Sequence, residues 1–140
     1  MRRAVLAIVL ALALGACGDD DQPRGATDAT AAKIESFAKV TLPASARDIR
    51  AAGATSMDES LHASFVIDRG DLDAFVASAD FANPLQQDYR PYAFTEFGWH
   101  LDRIDDALGG RDERPGFGRE LVIDLDKPDV ATVYLVASET

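Results

Sequence analysis

Apolar and polar positions in this chain follow two periods, and each period marks out its own elements. Between Ala31 and Val40, Ile34, Phe37 and Ala38 share one face at the i, i+3, i+4 spacing of a helix, and Leu42-Pro43 stops the run. Arg47 to Ala54 is a weak strand candidate. Leu61 to Ile67 is a stronger one: Leu61, Ala63, Phe65 and Ile67 point into a core, while His62, Ser64 and Asp68 point out. Gly70-Asp71 opens the clearest helix, with Asp71 as its N-cap and Leu72, Phe75, Val76 and Ala79 as its apolar stripe. Asn83-Pro84 ends it. Residues 85–118, rich in Gly and Pro, predict irregular chain with one short helix from Asp102 to Leu108, stopped by Gly109. Leu121, Ile123 and Leu125 alternate into the turn Asp126-Lys127-Pro128-Asp129, and Val130 to Ala137 returns as an apolar strand. The order predicts the α+β class: an antiparallel sheet of about four strands in two hairpins, with helices on one face, a two-layer sandwich.

The amino-terminal segment follows a different logic. Arg2-Arg3 precede an apolar run from Ala4 to Leu14, which small residues close, the pattern of a secretory signal. The run is too short to span a bilayer, which takes about 20 apolar residues. Leu14-Gly15-Ala16-Cys17 resembles the lipobox of bacterial lipoproteins. That resemblance implies a diacylglyceryl thioether on Cys17, cleavage before Cys17 and acylation of the new amino terminus. The expected organisation is then a lipoprotein signal peptide over residues 1–16, a lipidated Cys and acidic flexible tether over 17–30, and a single globular domain over 31–140. The expected location is the extracytoplasmic side of the cell envelope, held to a membrane by the lipid on Cys17.

Charge narrows the partners. The chain carries a net charge of −10, and loss of Arg2 and Arg3 with the signal would take it to −12. An acidic surface repels nucleic acid and anionic headgroups, keeps a domain soluble and monomeric, and steers basic protein partners inward. Cys17 is the single cysteine, so once lipidated it leaves no thiol or disulfide, and the hydrophobic core must carry stability.

Catalytic patterns are weak. His62 and His100 are the two histidines, whereas a catalytic zinc takes about three protein ligands. Asp102, Asp105 and Asp106, and then Asp124, Asp126 and Asp129, lack the spacing of an EF-hand loop and read as solvated faces and caps. There is no G-x-S-x-G and no Gly-rich phosphate loop. No catalytic residue, metal or cofactor is therefore expected. The informative remainder is aromatic: Tyr89, Tyr92, Phe94, Phe97 and Trp99 fall within eleven residues, beside Arg90. Phe94, Phe97 and Trp99 read as core under a folded-over loop. Tyr89, Arg90 and Tyr92, beside Pro91, read as partner-binding residues of the types enriched at interface hot spots.

Together with the lipobox, the segment Val40 to Ala46, the segment Asp71 to Phe75, the central Trp99 and the terminal Val133-Tyr134-Leu135 resemble a group of small bacterial membrane lipoproteins of high-GC genomes. The group has no assigned activity, so the resemblance implies one domain and an anchor and carries over no catalytic residue. The expected role is a non-enzymatic binding or structural one at the membrane surface. Two rivals stand beside it: an acidic inhibitor or immunity-type lipoprotein that neutralises a basic extracytoplasmic enzyme or toxin, and a hydrolase with an unrecognised carboxylate site.

Overall fold

The alternating segments pair into one antiparallel sheet. The computed structural model describes residues 24–55 and 59–139; the predicted signal peptide, Cys17 and the first part of the tether lie outside the described residues. Helix α1 spans Arg24–Ala38, strand β1 Arg47–Thr55, β2 Glu59–Asp68, helix α2 Leu72–Ala79, β3 Gln86–Gln87, β4 Ala107–Arg114, β5 Phe117–Asp124 and β6 Val130–Glu139. The strands lie in the order β1-β2-β6-β5-β4-β3. Sequence-neighbouring strands form the hairpins β1–β2, β4–β5 and β5–β6, and β6 inserts beside β2 to join them.

The period-2 pattern decides the faces. Leu61, Ala63, Phe65 and Ile67 of β2 share a face with Ala131, Val133, Leu135 and Ala137 of β6 and with Leu121 and Ile123 of β5, and all ten are buried. Helix α1 adds Ile34 and Ala38 to this core, and α2 adds Leu72, Phe75 and Ala79. Phe75 meets Phe65 edge-on, with ring centroids 5.6 Å apart. The predicted amphipathic stripes are therefore the faces that pack.

The structure corrects four expectations. First, the strand count is six, where about four were expected. Second, the predicted short helix from Asp102 to Leu108 is replaced by a 3₁₀ turn, Leu101–Arg103, followed by strand β4. Gly109, expected to stop that helix, is a strand glycine like Gly110, and both let backbones and side chains approach. A Cβ on Gly109 would sit 2.3 Å from the Leu121 carbonyl oxygen, and one on Gly110 would sit 3.2 Å from Leu85 Cδ2. Pro115-Gly116, with Gly116 at φ 75°, is the turn that joins β4 to β5. Third, Asp71 places no side-chain hydrogen bond on the start of α2; its carboxylate accepts one from the Ser45 hydroxyl at 2.6 Å. Helix α2 also stops at Ala79, short of Asn83-Pro84, with Asp80 in the left-handed conformation. Fourth, α1 begins at Arg24, upstream of its apolar stripe, where alanines of high helix propensity extend it.

The other face of the sheet is not open either. Residues 88–106 fold back across β4, β5 and β6 and bury Phe94, Leu101 and Ile104 against Ala107 and Val122 in a smaller second core. His62 and Ser64 of β2, expected to point to solvent, are accordingly half-buried.

Candidate functional site

Two features stand out beyond the cores: a buried ion pair on the helix face and an open groove on the opposite face.

The ion pair arises from register. The β4–β5 hairpin sets Asp112 directly opposite Arg119, and both side chains point toward the helices, where they are buried. Arg119 donates to Asp112 Oδ2 from Nε at 3.2 Å and from Nη2 at 2.9 Å. It also donates from Nη1 to the carbonyls of Ala38 and Lys39, at 2.8 and 2.9 Å, and from Nη2 to the carbonyl of Ala79. One guanidinium thus closes the carboxyl ends of both α1 and α2, whose last carbonyls lack partners within the helix and carry the negative end of the dipole. Phe81 lies beneath it, 4.6 Å from guanidinium carbon to ring centroid. The remaining oxygen of Asp112 accepts the Ala82 N–H at 3.3 Å, and Arg114 Nε reaches Asp112 Oδ2 at 3.2 Å. Burial pushes the Asp112 carboxyl up, but the hydrogen bonds from Arg119 and Ala82 and the charges of Arg114 and Arg119 outweigh it and hold it below the usual range. Every donor and acceptor here is satisfied internally, so this cluster is support.

The groove lies across β1, β2 and β6, walled by the chain at Phe97, Gly98 and Trp99, and encloses about 600 Å³. Its floor is a cross-strand row. Arg50 of β1 lies opposite Ser64 of β2, which lies opposite Tyr134 of β6. Thr132 lines it further along β6, and Asp48 further along β1. Asp48 has φ 52° and sits in an irregularity of the β1–β2 pairing between Arg47 and Arg50. Bulges of this kind bend an edge strand and re-aim side chains. The wall is aromatic: His62 stacks on Phe97 with ring centroids 4.3 Å apart, and Trp99 packs 5.1 Å from Phe97 and 5.1 Å from Tyr134. Burial, and secondarily the charge of Asp124, raises the Tyr134 hydroxyl above the ordinary tyrosine value, so it is protonated at neutral pH.

The wall stays in place because the loop behind it is tied down. Arg90 donates from Nε to the Leu101 carbonyl at 3.3 Å and from Nη2 to the Ile104 carbonyl at 2.6 Å. The Asp126 carboxylate accepts the N–H groups of Asp105 and Asp106, at 3.0 and 2.7 Å. Gly98, at φ 74°, ends the 3₁₀ helix Tyr92–Phe97 and turns the chain toward Trp99.

The three predicted partner-binding residues go to three environments. Tyr92 is 87 % exposed. Tyr89 is half-buried and its hydroxyl donates to Glu120 Oε2 at 3.3 Å, while Arg90 is the loop clamp just described. Of the predicted core aromatics, Phe94 is buried, whereas Phe97 and Trp99 are half-buried and face the groove. The sequence analysis missed Asp48, Arg50, Thr132 and Tyr134 as neighbours. The alternation of β2 flagged His62 and Ser64 as a second face, but cross-strand register, which alternation leaves open, supplies the rest. A smaller cavity of about 350 Å³ lies along β5 beside Arg111, Arg114 and Ser138. Its cations are engaged by Glu113, Glu120 and Asp112, which makes it the weaker candidate.

Among the described residues, no group of three or more His, Cys, Asp or Glu side chains is placed to hold a metal ion. No protein-family model matches the chain, and comparisons with curated proteins and with solved structures find no match, so the groove is characterised by its own geometry.

Proposed function

We propose that this chain is a lipid-anchored protein of the cell envelope with a non-enzymatic binding role, exercised on the extracytoplasmic side. The aromatic-walled groove over β1, β2 and β6 carries the binding part of this reading: ordered rings stand over a polar floor in a concavity of the size that ligand sites take. The lipobox-like Leu14 to Cys17 carries the anchor. The segment that supplies the wall also presents Tyr92 to solvent, beside Pro91, and this exposed ring favours a protein contact as a second reading. In that reading the acidic charge speeds encounter with a basic target, as an inhibitor or immunity-type protein requires. The hydrolase rival has less support, because Asp48 is the one carboxylate among the described groove-lining residues and a glycosidase pair takes two.

The anchor and the Tyr92 contact are tested in one experiment on the full chain expressed in a bacterial host, with a photo-cross-linking residue at position 92 or at the exposed position 73. Intact mass of the membrane fraction should show lipid on a chain that begins at Cys17, and Cys17→Ser should release the protein from membranes, since each buried CH₂ contributes about 0.8 kcal/mol to anchoring. Irradiation should give a discrete envelope adduct from position 92 and none from 73. An unmodified Cys17 removes the anchor, and equal adducts at both positions remove the Tyr92 contact.

A further inference from the structure

We infer that the groove over β1, β2 and β6 takes a saccharide, with Trp99 and Tyr134 as ring platforms and Arg50, Asp48, Ser64 and Thr132 as hydroxyl partners. The inference deepens the binding role proposed above and rests on it. Four observations converge.

The first is the polar inventory of the floor. Arg50 is a donor and Asp48 an acceptor, while the hydroxyls of Ser64, Thr132 and Tyr134 act as either. A sugar hydroxyl also donates and accepts, so a ring with several of them can satisfy a floor of mixed sign. An apolar ligand would strip water from these groups and leave them unpaired. An anion alone would use Arg50 and be repelled by Asp48.

The second is the state of Arg50. Arg47, Arg69, Arg90, Arg111, Arg114 and Arg119 all hydrogen-bond carboxylates or carbonyls within the fold. Among the described residues the Arg50 guanidinium, like that of Arg103, makes no such contact, and of the two Arg50 is the one that lines the groove, two residues from Asp48. Register places Arg50 in line with Ser64 and Tyr134 across the groove.

The third is the wall. Phe94 is buried under Trp99, at a centroid distance of 5.3 Å, and fixes it from behind. Trp99 and Tyr134 remain half-exposed at the groove. The C–H groups on the flat side of a sugar ring carry partial positive charge, and the face of an aromatic ring is negative, so the two stack.

The fourth is openness. The groove runs to the sheet edge at β1, with Asp48, Arg50, Ala51 and Ala52 along its outer side. Such a trough, open at that edge, accepts the end unit of a longer chain, whose remainder leaves past β1. That shape suits an oligosaccharide better than an enclosed small molecule.

Trp99 is the sole tryptophan and reports on its own wall. The full lipidated chain in detergent is titrated with chitotetraose and, separately, with maltotetraose, and Trp99 emission is followed. A saturable change with at least one of them is expected. Arg50→Ala and Tyr134→Phe should each weaken it about tenfold, the loss of one hydrogen bond made in the complex. Neither variant should alter the melting temperature, because Arg50 makes no hydrogen bond or ion pair among the described residues and Phe keeps the ring of Tyr134. Tyr92→Ala, outside the groove, should bind as wild type. No saturable change with either sugar overturns the proposal, as does undiminished binding by both groove variants. The lipid on Cys17 and the position-92 adduct are read independently. Their presence without a sugar response therefore leaves an anchored protein-binding chain and removes the saccharide alone.

Discussion

Arg119→Ala should destabilise the domain by about 3–5 kcal/mol, the range for breaking a buried ion pair from one side. The whole domain is held by roughly 5–15 kcal/mol, so this single change should leave it close to unfolded under mild denaturant. The effect has three parts. Asp112 would be left as a buried charge without its main partner, although Arg114 still reaches it. The carbonyls of Ala38, Lys39 and Ala79 would lose the donor that closes both helices. Phe81 would lose the cation above its ring. Arg119→Lys should recover part of the loss, since an ammonium keeps the charge but cannot fork toward two helices and a carboxylate together. Adding Asp112→Ala to Arg119→Ala should cost less than the sum of the two single changes, because the stranded charge is gone. Urea unfolding of wild type, the three single variants and the double variant reads all of this; additive losses would show that the pair is not coupled. The same cluster sets a pH dependence. Asp112 has its carboxyl held low in the folded state, so its contribution is fully present above the unfolded value of about 3.9 and is lost as pH falls through the lower, folded one. Wild-type stability should therefore drop on acidification below about pH 4, and the drop should be shallower in Asp112→Asn.

Phe75→Ala should cost about 3–5 kcal/mol, the usual range for emptying a buried Phe site. Phe75 is 1 % exposed, sits on the inward stripe of α2 and meets Phe65 edge-on, so its removal opens a cavity bounded by sheet residues that cannot collapse into it. Asp73 lies on the solvent face of the same helix, and Asp73→Ala should stay within about 0.5 kcal/mol. Thermal unfolding of the two variants tests the assignment of faces. Equal losses would mean that α2 packs by another stripe.

These two expected effects differ in how far sequence alone foretold them. Phe75 follows from the spacing of Leu72, Phe75, Val76 and Ala79, a local pattern that holds before any tertiary contact exists. The same is true of β2, whose buried residues are those the alternation marks. Arg119 has no such signature. Asp112 and Arg119 are unremarkable charged residues until the Pro115-Gly116 turn folds them into opposite positions of a hairpin and the ends of two helices arrive above them. Tyr92 lies between: Pro91 and its neighbours predicted a turned segment with an exposed residue, and its exposure fits, while Arg90 beside it is drawn inward by carbonyls of residues 101 and 104.

What the sequence determined by itself is what short-range pattern and composition encode: two amphipathic helices, the alternating strands β2 and β5, the apolar strand β6, the α+β class, and the acidic balance of the surface. What the tertiary structure decided is everything that depends on partners distant in the chain. The glycines at 109 and 110 are strand residues because Leu121 and Leu85 press against them, not stops of a helix. The sheet has six strands, two more than expected, because β3 and β4, which carry no strong alternating pattern of their own, pair in turn beside β5. The groove joins Arg50, Ser64 and Tyr134 from three strands through register, and Trp99 through a loop closed by Arg90 and Asp126. Periodicity reports which face a residue takes; which residue stands opposite it is set by strand pairing and loop closure, and that is where the site is made.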